Sequence, residues 1–282
     1  MSSHGDLQVK DFFNGNAREF IRDRLLRSDA CIKENSYDNF GLEIETASHT
    51  LTFFLFLYKF YFRVEVHGIE NLPDDGPGLL VSNHSPILPY DATMLVTAGL
   101  VEPEKPRLVR TIVNKNISKI PYVSTMLYRS GQIIGCDENV RRIFENKNMV
   151  LVFPTGGEGE VHTIFEKYKV AEFTLGFMEY ALKYNTPIIP TCVTGAEEAA
   201  LVLASVDLPL AGFKHIPISP LWPWFGLLGL LPFPSKFDIY FDPPEDYHTG
   251  HAADADDPAA VRRLSDEVRD KVQTMLDRAL GR

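Results

Sequence analysis

The sequence predicts an α/β fold in which a mostly parallel central sheet is flanked by helices and preceded by an N-terminal helical, membrane-associating extension. Short apolar segments typical of strands buried on both faces predict the sheet, and helix candidates that alternate with them predict parallel pairing. A chain of 282 residues that is 45% hydrophobic can bury a sizeable core. We expect an extension over residues 1–65 and a main domain over residues 66–282.

The elements follow from apolar runs and helix signals. The candidate strands are residues 78–82, 131–135, 149–153, 187–193 and 237–241, and the helices between them are residues 91–98, 139–146 and 173–184. A C-terminal amphipathic helix is predicted over residues 258–280. Asp257 is a good N-cap there, Pro258 suits the first helical position, and apolar residues follow at three- and four-residue spacing.

Two aromatic stretches are shorter or more broken than a membrane span. Residues 50–62 contain ten Phe, Leu or Tyr, but a spanning helix needs roughly 20 apolar residues. Residues 216–234 are uncharged, yet five prolines interrupt them. Both stretches suit either the core or peripheral, monotopic attachment to the cytoplasmic face of a membrane, which we prefer for the second. The expected membrane contacts are Phe54, Phe56, Trp222, Trp224 and Phe225.

Charge is unevenly distributed along the chain. The net charge is -10, which argues against a nucleic-acid partner, but residues 105–147 carry a local charge of +6. This basic region suits an anionic ligand or headgroup, or simply lies on solvated faces. Three widely spaced cysteines argue against a disulfide framework or a zinc site and favour a reducing compartment. The N-terminal residues lack the basic-then-apolar build of a secretory signal.

A histidine and an aspartate flank the first predicted strand–helix junction. His84 follows strand 78–82, and Asp91 opens the next helix candidate. Open α/β sheets place active sites at such junctions. A carboxylate there can fix the tautomer of the imidazole, so that the other ring nitrogen accepts a proton. A His–Asp pair alone is a weak signal, because such pairs are common.

Three further motifs follow the His–Asp pair in order. They are Gly131-Gln-Ile-Ile-Gly135, Phe153-Pro-Thr-Gly-Gly-Glu158 and Pro187-Ile-Ile-Pro190. The succession resembles the four sequence blocks of the glycerolipid and lysophospholipid acyltransferase superfamily. The resemblance implies that His84 and Asp91 are catalytic. It also implies substrate-binding roles for Asn83, Arg129, Gly131, Pro154, Thr155, Gly156, Gly157 and Glu158.

Departures from the family pattern concern the acceptor. Six residues separate His84 from Asp91, where the phosphate-handling branch usually has four, and this spacing resembles the monoacylglycerol and diacylglycerol acyltransferase-like branch. The usual arginines of the second and third blocks are missing. Thr155 replaces the usual glutamate, for which Glu158 or Glu160 is a possible substitute. A phosphate would have to be held by Arg129, Lys167 or Lys169 instead.

The resemblance implies an acyltransferase that needs no cofactor. It would move a fatty acyl group from acyl-CoA or acyl carrier protein to a hydroxyl of a lysophospholipid, monoacylglycerol or diacylglycerol. A catalytically weakened lipid-binding relative and a lipid or thioester hydrolase are the alternatives. We expect no metal: Asp246, His248, His251 and Asp254 read as a solvated acidic loop rather than a ligand set.

Overall fold

The structure is a computed structural model that describes residues 4–30, 37–85, 89–113, 122–155, 167–199, 201–208, 213–220, 224, 226 and 231–282. Residues 123, 204–208, 213–217, 252 and 253 are described without their side chains. Within these ranges, no helix has both the length and the apolar character needed to cross a membrane.

The described residues form nine strands in two sheets. The strands are β1 (Glu65–His67), β2 (Gly78–Ser82), β3 (Val109–Val113), β4 (Ile133–Ile134), β5 (Met149–Val152), β6 (Ile188–Thr194), β7 (Ala204–Leu208), β8 (Phe213–Ile218) and β9 (Asp238–Phe241). Seven of them form the central sheet in the order β1-β9-β6-β2-β5-β3-β4, and β7 pairs with β8 in a separate hairpin. Only the β6–β9 pair of the central sheet is antiparallel. The predicted mostly parallel α/β sheet is confirmed.

Ten helices surround the sheet in the described ranges. They are α1 (Val9–Asn14), α2 (Asn16–Arg27), α3 (Ile44–Phe56), α4 (Tyr90–Val101), α5 (Val123–Arg129), α6 (Asp137–Glu145), α7 (Gly176–Lys183), α8 (Ala196–Ala199), α9 (His248–His251) and α10 (Pro258–Ala279). A π-helical turn over Leu57–Tyr61 continues α3. The backbone N–H of Ala259 donates to the Asp257 carboxylate at 3.0 Å, which is the N-cap expected for α10.

The central sheet separates two apolar cores. Successive side chains of a strand point to opposite faces, so Leu80 of β2 joins the core formed with α2, α3 and α4. Leu79 and Val81 join the core formed with α6, α7 and α10. Because strands such as β2 are covered on both faces, they read in the sequence as continuous apolar runs.

The N-terminal helices belong to the first of these cores. Ile21 and Leu25 of α2 and Leu55 of α3 are fully buried, in the same cluster as Leu95 of α4. Helix α4 is therefore covered by the sheet on one side and by the extension on the other, and its residues from Asp91 to Val101, apart from Thr93, are all buried. The extension predicted over residues 1–65 thus packs directly on the helix that carries Asp91.

Candidate active site

The carboxyl end of β2 carries the predicted catalytic residues. Strand β2 ends at Ser82, and Asn83, His84 and Ser85 follow it. Helix α4 begins at Tyr90 with Asp91 in its first turn, where the helix dipole favours a negative charge. Residues 86–88 between them lie outside the described residues. The local sequence, a buried strand followed closely by a helix, brings the histidine and the aspartate to one edge of the sheet.

His84 and Asp91 form a hydrogen-bonded pair. His84 Nδ1 lies 2.9 Å from Asp91 Oδ2, and the Asp91 side chain is only 1% exposed. The same oxygen accepts from the backbone N–H of Ser85 at 2.6 Å, and Oδ1 accepts from the N–H of Ala92 at 2.8 Å. Because a carboxylate can only accept, Nδ1 donates the bond, and Nε2 of the neutral ring is left as a proton acceptor.

The surroundings of His84 act on its pKa in opposite directions. Burial lowers the pKa of the imidazole, but the negative charge of Asp91 and its hydrogen bond raise it by more, so that the pKa is above its ordinary value. The His84 side chain still keeps 35% of its surface exposed. The pair therefore combines an imidazole held by Asp91 with a side chain that is still partly exposed.

The third sequence block begins beside the histidine. Val152 of β5 pairs with Val81 of β2, so Phe153, the next residue, lies where β2 ends. The Phe153 ring stacks on the His84 ring, with 4.2 Å between the centroids and 25° between the planes. Pro154 is buried and its carbonyl accepts from Thr174 N at 2.7 Å, and Thr155 is half-buried. Gly156, Gly157, Glu158 and Glu160 lie outside the described residues.

Asn83 connects the site to the neighbouring strand. Its amide nitrogen donates to the Val193 carbonyl at 3.0 Å, and its amide oxygen accepts from Val193 N at 2.9 Å. The side chain is buried, and its amide both donates to and accepts from the backbone of Val193 in β6. These contacts position the segment that carries His84, and the predicted role of Asn83 in substrate binding stays a prediction.

Arg129 and Gly131 lie away from the histidine. The register pairs Ile112 with Ile133 in β3 and β4, which sets Gly131 level with the middle of the neighbouring strands. That level is three residues before the end of β2, about 10 Å along the strand. Arg129 reaches Glu43 of the extension at 3.3 Å. Their substrate-binding roles stay predictions that the arrangement does not favour.

Most of the predicted basic region is paired with acidic or backbone groups. Buried Arg107 bonds Asp29 at 3.1 Å, and buried Arg110 pairs with Asp38. The other described ion pairs are Arg129 with Glu43, Arg141 with Glu138 and Glu145, Arg142 with Glu138, and Lys147 with Asp75. Lys115 and Lys119 lie outside the described residues. Within the described ranges, most of the basic side chains of this region therefore make contacts within the protein.

The predicted membrane residues show partial exposure. Phe54 and Phe56 are half-buried, and Phe56 packs on Phe12 at 5.5 Å between ring centroids. Trp224 is 75% exposed, whereas Trp222 and Phe225 lie outside the described residues. The exposed aromatic residue of α3 is Phe53, at 58%, which we did not predict. Helical periodicity identifies Phe53. Leu51 and Leu55 are buried, and a residue two positions from each of them lies on the opposite face of the helix.

One group of three side chains in the described ranges could hold a metal ion. Ligand atoms of Glu65, His67 and Asp238 lie within 4.8 Å of one another. The ammonium of Lys236 already contacts Glu65 at 2.7 Å and Asp238 at 3.3 Å, and a cation in that place competes with a metal.

The loop that we read as solvated is held by internal bonds. Asp246 accepts from His248 N at 2.9 Å and from Thr249 N at 3.0 Å. His248 Nδ1 contacts the Leu182 carbonyl at 2.6 Å, and His251 Nδ1 contacts Asp254 at 2.8 Å. These polar groups are thus engaged in local turns and pairs.

The structure combines a mostly parallel α/β sheet with a hydrogen-bonded His–Asp pair at its carboxyl edge. A family model described as Acyltransferase matches residues 63–194, which include His84, Asp91 and Phe153. An uncharacterized protein of Mycobacterium leprae (strain TN) is 35% identical over 267 residues, covering 93% of this chain and 71% of that protein. The chain belongs to the glycerolipid acyltransferase superfamily and is an acyltransferase of lipid metabolism.

Two further comparisons find similarity to proteins named for lipid synthesis or acyl transfer. The protein named "DGAT1/2-independent enzyme synthesizing storage lipids" from Homo sapiens is 26% identical over 215 residues, covering 76% of this chain and 61% of that protein. The crystal structure of the 1-acyl-sn-glycerophosphate (LPA) acyltransferase, PlsC, from Thermotoga maritima matches with a TM-score of 0.55 and 17% identity, over 97% of this chain and 98% of that chain. This second likeness establishes the shared fold.

Proposed function

We propose that the protein transfers a fatty acyl group from acyl-CoA or acyl carrier protein to a hydroxyl of a glycerolipid-like acceptor, with His84 as general base. The observation that carries the proposal is the pairing of His84 Nδ1 with the buried carboxylate of Asp91 at 2.9 Å, on a ring that keeps 35% of its side-chain surface exposed. Because Asp91 occupies Nδ1, Nε2 is the ring nitrogen that can accept a proton.

The proposed reaction is a direct transfer in two steps. His84 Nε2 takes the proton of the acceptor hydroxyl while the hydroxyl oxygen attacks the thioester carbonyl, which gives a tetrahedral intermediate. The C–S bond then breaks, and the imidazolium returns the proton to the thiolate that leaves. The ester and a free thiol are the products, and His84 is neutral again. Asp91 stabilises the imidazolium between the two steps.

We propose a neutral acceptor, monoacylglycerol or diacylglycerol, in preference to glycerol 3-phosphate. Two of the cations that the sequence offers for a phosphate are already paired: Arg129 with Glu43 at 3.3 Å and Lys167 with Glu198 at 3.2 Å. Six residues, rather than four, separate His84 from Asp91. The human relative is named for the synthesis of storage lipids, which agrees with this choice. A lysophospholipid acceptor is the main rival.

The test compares wild type with His84→Ala in a transfer assay. Detergent-purified protein receives labelled acyl-CoA with lysophospholipids, monoacylglycerol, diacylglycerol or glycerol 3-phosphate. Loss of a general base lowers kcat by about a hundred- to ten-thousand-fold. His251→Ala is the matched control, because His251 Nδ1 also contacts a carboxylate, that of Asp254 at 2.8 Å, and should leave the rate unchanged.

Each product pattern has a separate meaning. Acylated acceptor from wild type and His251→Ala, but not from His84→Ala, supports the proposal. Free fatty acid without acylated acceptor indicates hydrolysis. Equal activity of His84→Ala and wild type contradicts the role of His84. Preference for a lysophospholipid or glycerol 3-phosphate contradicts the neutral acceptor alone.

We also propose peripheral attachment to the cytoplasmic face of a membrane through exposed apolar residues. Trp224 is 75% exposed, Phe53 is 58% exposed and Leu231 is 58% exposed. Tyr61, at the end of the π-helical turn, donates to the Pro232 carbonyl at 2.6 Å and so joins the segment of Leu231 to the end of α3. Exposed aromatic and aliphatic side chains of this kind are typical of interfacial attachment.

Liposome co-sedimentation tests this attachment. A variant with Phe53→Ser, Trp224→Ser and Leu231→Ser should stay in the supernatant instead of sedimenting with the liposomes. Leu26→Ser is the control: Leu26 is 54% exposed, and its neighbour Arg27 bonds the Glu104 carbonyl just beyond the far end of α4. Unchanged sedimentation of the triple variant, or equal release of the control, would contradict this surface as the anchor.

A further inference from the structure

The ring of Phe153 covers one face of the His84 imidazole. The two ring centroids are 4.2 Å apart and the ring planes differ by 25°, which is a stacked arrangement. Phe153 is half-buried and directly follows β5. The next residue, Pro154, is buried, and its carbonyl accepts a 2.7 Å hydrogen bond from the backbone N–H of Thr174. The backbone is therefore fixed on both sides of Phe153, by the sheet before it and by the hydrogen bond of Pro154 after it.

The imidazole is restrained from two directions. Asp91 holds the Nδ1 edge at 2.9 Å, which fixes the rotation of the ring within its plane. A contact at one edge leaves the ring free to tilt about the axis through that hydrogen bond. Phe153 lies against the face and blocks this tilt. Together the two contacts aim Nε2 in one direction, which lowers the entropy that the reaction would otherwise lose.

Stacking also affects the charge that forms during the reaction. When His84 takes a proton from the acceptor, the neutral imidazole becomes an imidazolium. The face of a phenyl ring carries partial negative charge, and it attracts a cation placed within about 6 Å of its centroid. An aliphatic side chain of the same size would exclude water equally well but would supply no such attraction.

We propose that Phe153 is a positioning residue for the general base, which orients the His84 ring and stabilises its protonated form through the aromatic face. This inference rests on the proposed role of His84. It assigns a function to the aromatic residue that opens the third sequence block, separate from any contact with the acceptor.

The test replaces Phe153 by Leu, by Met and by Tyr. Leu and Met keep an apolar side chain and lose the aromatic face, whereas Tyr keeps the face. Leu and Met should lower kcat by roughly two- to thirtyfold, the range that a cation–π contact supplies, while KM for donor and acceptor changes little. Tyr should restore most of kcat. Thermal melting shows whether each variant is folded. The Met variant replaces the Leu variant in the comparison if Leu leaves a cavity that destabilises the protein.

The pH dependence separates this role from simple packing. Among the described residues, Asp91 is the charged group that acts on His84, and it stays in place in every variant. The acid limb of kcat/KM reports the ionisation of the free enzyme's base. In the Leu and Met variants the limb should move to lower pH by about 0.3 to 1.5 units, the same range on a logarithmic scale, since the imidazolium loses its attraction to the ring. Titration of the His84 signal by NMR, identified by its loss in His84→Ala, measures the same shift without turnover.

The outcomes distinguish this inference from the proposed function. A shifted limb and a reduced kcat that Tyr rescues support the role of Phe153. An unmoved limb and an unmoved NMR titration in Leu and Met would overturn it, and so would equal loss of kcat in Leu, Met and Tyr. These results leave the assignment of His84 intact if His84→Ala is inactive. An active His84→Ala would instead overturn the proposed function itself.

Discussion

Replacing Asp91 by Asn removes one negative charge and little volume from the centre of the site. The side chain is 1% exposed, and its two oxygens accept three hydrogen bonds, from His84, Ser85 and Ala92. The single amide oxygen of Asn can accept from one or two of these donors. Its NH2 group can donate to Nδ1, which places the ring proton on Nε2, where it blocks the base. We expect kcat to fall by about a hundred- to ten-thousand-fold.

The remaining activity of Asp91→Asn should show a displaced pH dependence. In wild type, burial lowers the pKa of His84, while the charge and the hydrogen bond of Asp91 raise it above the ordinary value. Without the carboxylate only burial acts, so the pKa of His84 falls. A base works in its deprotonated form, so the acid limb of kcat/KM moves to lower pH than in wild type.

Initial rates over a range of pH, with the acceptor that wild type uses best, measure both effects. Circular dichroism shows whether the variant is folded. Asp254→Asn is the control, because it alters the carboxylate partner of His251 and should leave rate and pH dependence unchanged. Wild-type kcat in Asp91→Asn, or an acid limb that moves to higher pH, would refute the reasoning.

Two further predictions concern stability. Asp38→Asn leaves the buried guanidinium of Arg110 without its ionic partner, and it should lower the free energy of unfolding, measured by urea denaturation, by about 3–5 kcal/mol. Replacing both residues by apolar ones should lower it less. Equal losses in the two variants would contradict a net effect of the ion pair. Burial raises the pKa of Glu197 to about 7, so the folded protein favours the protonated side chain. The stability that this protonation adds is fully present below the unfolded pKa near 4.3 and is lost as the pH rises through 7. Glu197→Gln should therefore flatten the stability profile between pH 5 and 8, as measured by melting temperature, and a profile as steep as that of wild type would contradict this assignment.

The sequence predicts best those strands whose burial is uniform. Residues 78–82 were predicted as a strand, and β2 spans Gly78–Ser82 with every residue buried. Strand β3 (Val109–Val113) was missed because Arg110 interrupts its apolar run. That charge is compensated by Asp38, 72 residues earlier in the chain, a contact that local patterns do not reveal. Strand β1 was missed because it has three residues, two of them exposed, at the edge of the sheet.

Sequence order predicts a site less well than strand register does. Gly131 opens the second block, yet it lies two residues before β4, on the side of that strand away from the edge that carries His84. Its positive φ of 101° and the bond from Arg110 to its carbonyl at 3.2 Å give it a structural role in a tight turn. Motif membership therefore does not establish proximity.

The His–Asp pair was predictable because its two members flank one local junction, seven positions apart. Phe153 was quoted as part of a motif, but its contact with His84 depends on the pairing of β2 with β5, across 69 positions of sequence. Parallel strands need such long connections, so a site at their common edge always combines a local part with a distant part. In the proposed mechanism the local part supplies the base, His84, and its carboxylate, and the distant part supplies the aromatic face of Phe153. Mutations of the two parts should therefore be separable: Asp91 acts on the charge and tautomer of the ring, and Phe153 on its tilt and on its protonated form.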